Sequence, residues 1–507
     1  MNQETLPPLF TPDSPENQTL RANVSPTDWT NPVPDGRYNL VVIGAGGGGL
    51  VTAAGAAGLG AKVALIEKHA LGGDCLNVGC VPSKALLAAA KTAAAARKSG
   101  AYGVKVDQVD VDFPAVMNRM RALRTGISPH DSAERFRDLG IDVFLGTGCF
   151  LDGETIAVDD AHLKFSKAVI ATGARAIVLP IPGLEASDPL TNETLFSLTA
   201  LPKRLAVIGA GPIGCEMAQA FARFGSEVHL FETECKILPR EDPDAAEVVR
   251  KALHADGVNS VCGVKIDQVR KQGDTRSIQY TCGDEQKTLE VDHILVGVGR
   301  APNVEGIGLE AAGVDFDPRK GVTVNERLQT SHKRIFAVGD VCLAHKFTHM
   351  ADFTARLVLQ NALFGGRKKY TDLLVPWCTY TQPEIAHVGL YEKEAGEQYG
   401  AKVKTFRRDF SEVDRTILEG HLQGFVKIHT VKGTIVGATI VGEHAGDLIS
   451  EISVAMRAGM GLGELANVIH PYPTAAEAIR QCGDAYNREK FTPTVAKLFR
   501  WWLKKRR

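Results

Sequence analysis

Long apolar runs are missing from this chain of 507 residues. No stretch of about 18 apolar residues occurs, so no membrane-spanning helix is expected. The first residues, MNQETLPPLF, have neither the basic start nor the apolar centre of a signal peptide. An excess of one charge is missing too. The 58 Lys and Arg stand against 59 Asp and Glu, a net charge of -1, which leaves no electrostatic footprint for a nucleic-acid partner. Cysteine is sparse: ten in the whole chain, none before residue 75 and no two adjacent. That is too thin for a secreted disulfide scaffold and fits a cytoplasmic protein with one redox-active disulfide. Apolar content of 44% and charged content of 23% are those of an ordinary globular protein, and the length suggests about three domains.

Two of the cysteines are placed for chemistry. Cys75 and Cys80 sit in Gly72-Gly-Asp-Cys-Leu-Asn-Val-Gly-Cys-Val-Pro-Ser-Lys84. Pro82 and Ser83 suit the first turn of a helix, and a thiol at a helix N-terminus has a lowered pKa. The spacing therefore predicts a reactive thiolate and a two-electron thiol couple. Two structural cysteines, or half a metal site, are the alternative. A zinc site uses shorter spacings and a second Cys or His pair.

A glycine-rich turn precedes the thiols. Leu40–Ile43 reads as a strand, then come Gly44, Gly46 and Gly49, an alanine-rich helix over 50–59, and a strand over 62–66 that ends at Glu67. The pattern repeats: strand 204–208, then Gly209, Gly211 and Gly214, helix 215–224, and strand 227–231 ending at Glu232. Each copy is a βαβ unit with the dinucleotide fingerprint. Its glycines let backbone N–H groups approach a pyrophosphate, and its acid accepts ribose hydroxyls. Two bound nucleotides are predicted. Apolar strands ending in tight turns recur at Thr172-Gly173, at Gly299 and at Gly339-Asp340. From about residue 374 short alternating segments, 424–430 and 434–441, suggest an antiparallel sheet, with helices near 446–458 and 474–487.

Together GAGGGG, GGDCLNVGCVPSK, ATGA, GAGPIGCE, GVGRAPN and AVGDV resemble the flavin-dependent pyridine nucleotide–disulfide oxidoreductases over about residues 38–490. That group includes dihydrolipoamide dehydrogenase, glutathione reductase and mercuric reductase. The resemblance implies an α/β fold with two Rossmann-type domains and a C-terminal α+β dimerisation domain. It implies FAD bound by 37–188 with 301–373, NAD(P)H by 189–300, and a homodimer formed through 374–490. Residues 1–36, with seven prolines, are expected to be a loose extension, and 491–507 a basic amphipathic tail. Residue by residue, the resemblance assigns FAD's ADP ribose to Glu67 and its ribityl-phosphate region to Asp340. Thr172, Gly173 and Gly299 fall in the cofactor-contacting turns, and His349 matches a flavin-facing histidine. An ordinary packing histidine, or a metal pair with His345, are the other readings of His349. Cys80 would be the flavin-proximal thiol, Cys75 the interchange thiol, and Lys84 with Glu216 an ion pair beside the flavin. Glu232 favours the free 2′-hydroxyl of NADH; NADPH stays open as the second coenzyme.

The C-terminal motif departs from the disulfide reductases. Their His-Pro-Thr, followed three residues on by Glu, is here Tyr472-Pro473-Thr474 with Glu477, so tyrosine stands where the acid–base histidine is expected. His470 lies two residues early, about 7 Å away along an extended segment. A tyrosine is a poor proton shuttle at neutral pH, but mercuric reductases have one at this position. The resemblance thus points toward Hg(II) as a substrate at Cys75 and Cys80, a soft-ligand pair. The vicinal C-terminal cysteines and the N-terminal Cys-x-x-Cys of mercuric reductases are missing, and Cys482 stands alone as a structural residue. Two alternatives stay open: a small-disulfide reductase using His470, and a membrane-associated partner module with catalysis secondary. The last rests on residues 495–507, which hold two of the four tryptophans and six basic residues. They read either as peripheral membrane contact on anionic lipid, as a helix packed on the dimer, or as a solvated basic end.

Overall fold

The run Arg37–Ile43 forms a strand whose last four residues are all buried. A strand apolar on both faces belongs in a parallel sheet covered on both sides, and that is where it lies in the computed structural model, which describes residues 7–507. It pairs in parallel with Val63–Glu67 on one side and Ala161–Ile170 on the other. Asp142–Leu145 and Ile335–Ala337 extend the parallel sheet, and the antiparallel strands Thr155–Val158 and Gly148–Phe150 complete seven strands. The helix Gly47–Gly58 returns the chain from the first strand to the second. A second parallel set, Glu227–Glu232, Arg204–Ile208 and His293–Val296, carries its own return helix, Pro212–Phe224. A three-stranded antiparallel sheet, Val264–Gln272, Thr275–Cys282 and Glu285–Val291, accompanies it. All of this belongs to one compact unit, made of the chain up to Glu234 together with Asn259–Leu373.

Contrary to the expectation of a loose extension, residues 7–36 are packed. Ser14 caps the helix Pro15–Val24 by accepting the N–H of Asn17, and Pro15 takes the first helical position, where its missing N–H costs nothing. Leu20 and Val24 are fully buried. Trp29 Nε1 donates to the Val143 carbonyl at 3.1 Å, and the Asn31 side chain both donates to and accepts from the Leu145 backbone. The segment thereby covers the outer edge of the seven-stranded sheet. Proline count reported local stiffness; the buried leucine and valine and the free sheet edge decided the packing. For residues 1–6 the expectation lies outside the described residues.

The second unit comprises Cys235–Val258 and Leu374–Arg507. Its sheet is wholly antiparallel, in the order Pro376–Thr379, Glu384–Gly389, Thr434–Gly442, Phe425–Val431, Val403–Asp409. The helices Ala445–Ala458 and Glu477–Glu489 supply Ile449, Ile452, Ile479 and Cys482 to a core shared with Val388, Ile428 and Ile440. Cys482 is buried there, and burial pushes its thiol up to about 12, as suits a structural residue. The helix Pro243–Ala255 joins the same unit through Lys427. This buried ammonium lies 2.9 Å from Asp242, 2.8 Å from Asp244 and 3.1 Å from Glu392. The tail forms a helix, Pro493–Lys504, none of whose residues is buried. Among the described residues no helix is long and apolar enough to cross a membrane.

Candidate active site

Both glycine turns are cradles that side chains would fill. A Cβ on Gly49 would meet the Gly44 carbonyl oxygen at 1.8 Å, and one on Gly214 would meet that of Gly209 at 1.9 Å. Gly46 and Gly211 cap the helices that follow, so uncommitted N–H groups at each N-terminus face the turn. Glu67 ends its strand over the first turn, where its carboxylate accepts the N–H of Ala45 at 2.7 Å and of His69 at 2.8 Å. Glu232 ends the equivalent strand of the second. These features fit a dinucleotide at each turn. Thr172 donates to the Asn303 carbonyl at 2.7 Å, and Asn303 returns a bond to the Thr172 carbonyl at 2.9 Å. Two of the tight turns, those of Gly173 and Gly299, thus join around the crossing between the strands Ala174–Ala176 and Arg300–Pro302.

The thiols lie on separate helices. Cys75 is in the short helix Gly73–Asn77, and Cys80 is the first residue of the long helix Cys80–Lys98. Gly73 has φ of +54°, and a Cβ there would come within 2.6 Å of the Gly46 Cα. Glycine at both positions brings the thiol helix directly against the first nucleotide turn. Both cysteines carry free thiols. Cys75 donates a hydrogen bond to Cys80, the largest of the influences that pull the Cys80 thiol down to about 6. The Thr348 hydroxyl, 3.3 Å from the Cys80 sulfur, and the Lys84 ammonium act the same way, while burial opposes them. Cys75 moves in the opposite direction, above the ordinary thiol range, because it donates that bond and because it is buried. The pair therefore shares one proton, with the negative charge on Cys80.

The surrounding groups brace this arrangement. Lys84 lies 3.0 Å from the buried Glu216 on the second return helix. Thr348, which opens the helix Thr348–Phe364, reaches the thiols, whereas its neighbour His349 stacks on Phe347 with ring centroids 5.2 Å apart. Sequence reasoning passed over Thr348, and also Arg300. The Arg300 guanidinium is bonded to Asp74, next to Cys75, and to the Ala174 carbonyl, and it lies 3.6 Å from Asp340. Burial raises Asp340 and the Arg300 charge lowers it, for a net upward shift. Arg300 lay in plain view in the GVGRAPN run, but nothing local says that its side chain reaches a thiol helix 226 residues away.

The second unit separates the two C-terminal candidates. His470 is enclosed, its side chain 5% exposed, and both ring nitrogens are engaged: one with the Val468 carbonyl at 2.9 Å, the other with Glu451 at 2.8 Å. Tyr472 is 71% exposed. Its hydroxyl donates to Asp414 at 2.9 Å, and that bond, with the carboxylate's charge, holds the phenol above its ordinary value. Glu477 is buried and faces Arg480 at 3.3 Å, so the structure brings it to neither His470 nor Tyr472 by a hydrogen bond.

Comparisons with known proteins place the chain in a family. Residues 38–360 match the family described as pyridine nucleotide-disulphide oxidoreductase, and residues 375–482 match its dimerisation domain. The chain is 34% identical over 461 residues to a mercuric reductase of Lysinibacillus sphaericus, covering 90% of this chain and 84% of the relative. It is 33% identical over 455 residues to a dihydrolipoyl dehydrogenase of Geobacillus stearothermophilus, covering 88% and 95%. Among solved structures it is similar to the Cu(II) complex of the HOCl-induced flavoprotein disulfide reductase RclA of Escherichia coli. The TM-score there is 0.78 at 27% identity, over 87% of this chain and 98% of the other. The chain belongs to the pyridine nucleotide–disulphide oxidoreductase family, flavoenzymes that use FAD and NAD(P)H and form homodimers.

Proposed function

We propose that this protein passes electrons from NADH through FAD to the Cys75–Cys80 disulfide and on to a soft metal ion, in the manner of a mercuric reductase. The observation that carries this reading is the pairing of an exposed Tyr472 with an enclosed His470 at the C-terminal motif. When bound, FAD supplies the two-electron link between the nicotinamide and the thiols. The first glycine turn with Glu67 and Asp340 would hold it, and His349 would be a further contact. Gly209, Gly211, Gly214 and Glu232 would hold NADH, the acid favouring an unphosphorylated ribose.

The protein's own groups then set the chemistry at sulfur. Lys84 and Thr348 hold negative charge on Cys80, and Cys75 keeps the proton until substrate takes its place. Two thiolates close together suit a soft cation such as Hg(II). Its reduction to the metal consumes the two electrons that NADH gives up, and one proton is released. A tyrosine such as Tyr472 would serve as a hydrogen-bonding or coordinating phenol, not as a proton shuttle. RclA, a flavoprotein disulfide reductase of similar fold, forms a complex with Cu(II), so a metal ion binds to one protein of this architecture.

An acceptor screen with NADH and NADPH tests the proposal, using Hg(II), lipoamide, glutathione disulfide and quinones. Hg(II)-dependent NADH oxidation should fall about tenfold or more in Tyr472→Phe and stay within about twofold in His470→Ala. Turnover of lipoamide or glutathione disulfide that collapses in His470→Ala alone would overturn it. For that second reading His470 keeps an orienting carboxylate in Glu451, but its other nitrogen would have to leave the Val468 carbonyl to act as a base.

A further inference from the structure

The C-terminal helix Pro493–Lys504 takes no part in the site described above, yet it is built with care. Thr492 caps it by accepting the N–H of Val495, and Pro493 opens it. Val495, Leu498, Phe499, Trp502 and Leu503 follow the i, i+3, i+4, i+7, i+8 rule and share one face. Lys497, Arg500 and Lys504 fall on the opposite face, and Lys505, Arg506 and Arg507 follow at the end. None of the helix is buried, and Leu498 and Leu503 are each 57% exposed. Among the described residues the apolar face meets Phe491, whose ring centroid lies 5.7 Å from that of Phe499, and most of the face stays exposed. A helix of this length is marginal in water, where isolated helices shorter than about 12–15 residues scarcely form.

We propose that this helix docks the enzyme on an anionic phospholipid surface, lying in the plane of the headgroups. Charge complementarity selects the partner. Six Lys and Arg lie between residues 497 and 507, and the last acidic residue before them is Glu489. The helix is about 10–12 Å thick, close to a Debye length, so even the far-side charges feel an anionic surface under the apolar face. At 12 residues the helix is about 18 Å long, too short for a hydrocarbon core of about 30 Å, so it lies along the surface. Trp501 and Trp502 suit the headgroup level, each with a cation over its ring, Lys505 at 4.1 Å and Arg506 at 4.0 Å. A second copy of the chain is the weaker occupant, because the dimerisation-domain match ends at residue 482. The dimer carries two such helices, which supplies the second signal that stable attachment to a bilayer needs.

Vesicle co-sedimentation of the FAD-loaded dimer tests this. Vesicles of phosphatidylglycerol and phosphatidylcholine should carry down about tenfold more protein than pure phosphatidylcholine at low salt, and about 0.5 M salt should release most of it. Deleting residues 493–507, or Leu498→Glu with Trp502→Glu, should abolish binding while flavin absorbance and sedimentation mass stay unchanged. Equal recovery with both vesicle types, or binding that survives the deletion, would overturn the proposal. So would conversion of the dimer to monomer by the deletion without any vesicle binding, which would assign the apolar face to the second copy.

Discussion

At the scale of single residues, the site depends on one proton and one guanidinium. The hydrogen bond from Cys75 is the largest influence lowering Cys80 to about 6. The thiolate therefore forms as pH rises through about 6, and the reduced protein should lose its thiolate absorbance below that pH. Cys75→Ala removes the donor, so the titration of Cys80 should move up toward the ordinary thiol value of about 8.5. Ultraviolet titration of the reduced protein checks this, and an unmoved midpoint would show that Lys84 and Thr348 suffice. Arg300→Met leaves Asp340 with Lys346 as its remaining nearby cation and Asp74 without its bond. The variant should be less stable by about 2–3 kcal/mol and should hold FAD less tightly, read by urea unfolding and by flavin released on gel filtration.

At the scale of elements, the N-terminal helix and the thiol helix are mechanically joined. The fully enclosed Arg124 guanidinium donates to the Asn77 carbonyl at 2.8 Å, which ends the Cys75 helix, and to Asn17 Oδ1 at 2.7 Å on the N-terminal helix. The Leu71 N–H adds a bond to the Val24 carbonyl at 2.9 Å. Asn17→Ala should therefore cost about 1–3 kcal/mol, and hydrogen exchange should quicken at residues 73–80 as well as near the substitution. Protection unchanged at 73–80 would mean that the two helices move independently. In the second unit, Lys427 ties the helix Pro243–Ala255 to the antiparallel sheet. Burial works against its charge, but hydrogen bonds with Asp242 and Asp244 outweigh burial and raise its pKa. A lysine raised on folding stabilises the protein fully below its unfolded value of about 10.4, and the contribution is lost as pH rises through the folded value. Thermal stability should thus fall above about pH 10.4, and less steeply in Lys427→Met, which itself should be less stable by about 3 kcal/mol at pH 7 because the buried Asp242 loses this cation, as does Glu392, and Asp244 is left with Arg407.

At the scale of the whole molecule, the dimerisation domain leaves apolar surface beside the C-terminal motif. Ile469 is 94% exposed and adjoins Val468 and His470. A second subunit closing over this exposed isoleucine would take it out of water. Ile469→Asp should weaken the dimer at least about tenfold in analytical ultracentrifugation, and metal-ion reduction should fall with the dimer fraction. A stable Ile469→Asp dimer would place the subunit contact elsewhere on the domain.

How much could be read without coordinates follows the range of the forces involved. The two glycine turns, the strands and helices flanking them, and the thiols at a helix start were legible because each is written within about 30 consecutive residues, where turn geometry and periodicity act. The sequence by itself determined the fold class, the family and the position of the two neighbouring thiols. Tertiary structure alone decided that residues 7–36 seal a sheet edge and brace the thiol helix, that Arg300 reaches from one nucleotide turn to Asp74, and that His470 is enclosed while Tyr472 is exposed. Two residues that are near neighbours in sequence can be told apart only by what packs over them, and burial is set by distant segments of chain. The same holds for the last helix: its two faces are visible in the sequence, but only the folded protein leaves most of the apolar one exposed.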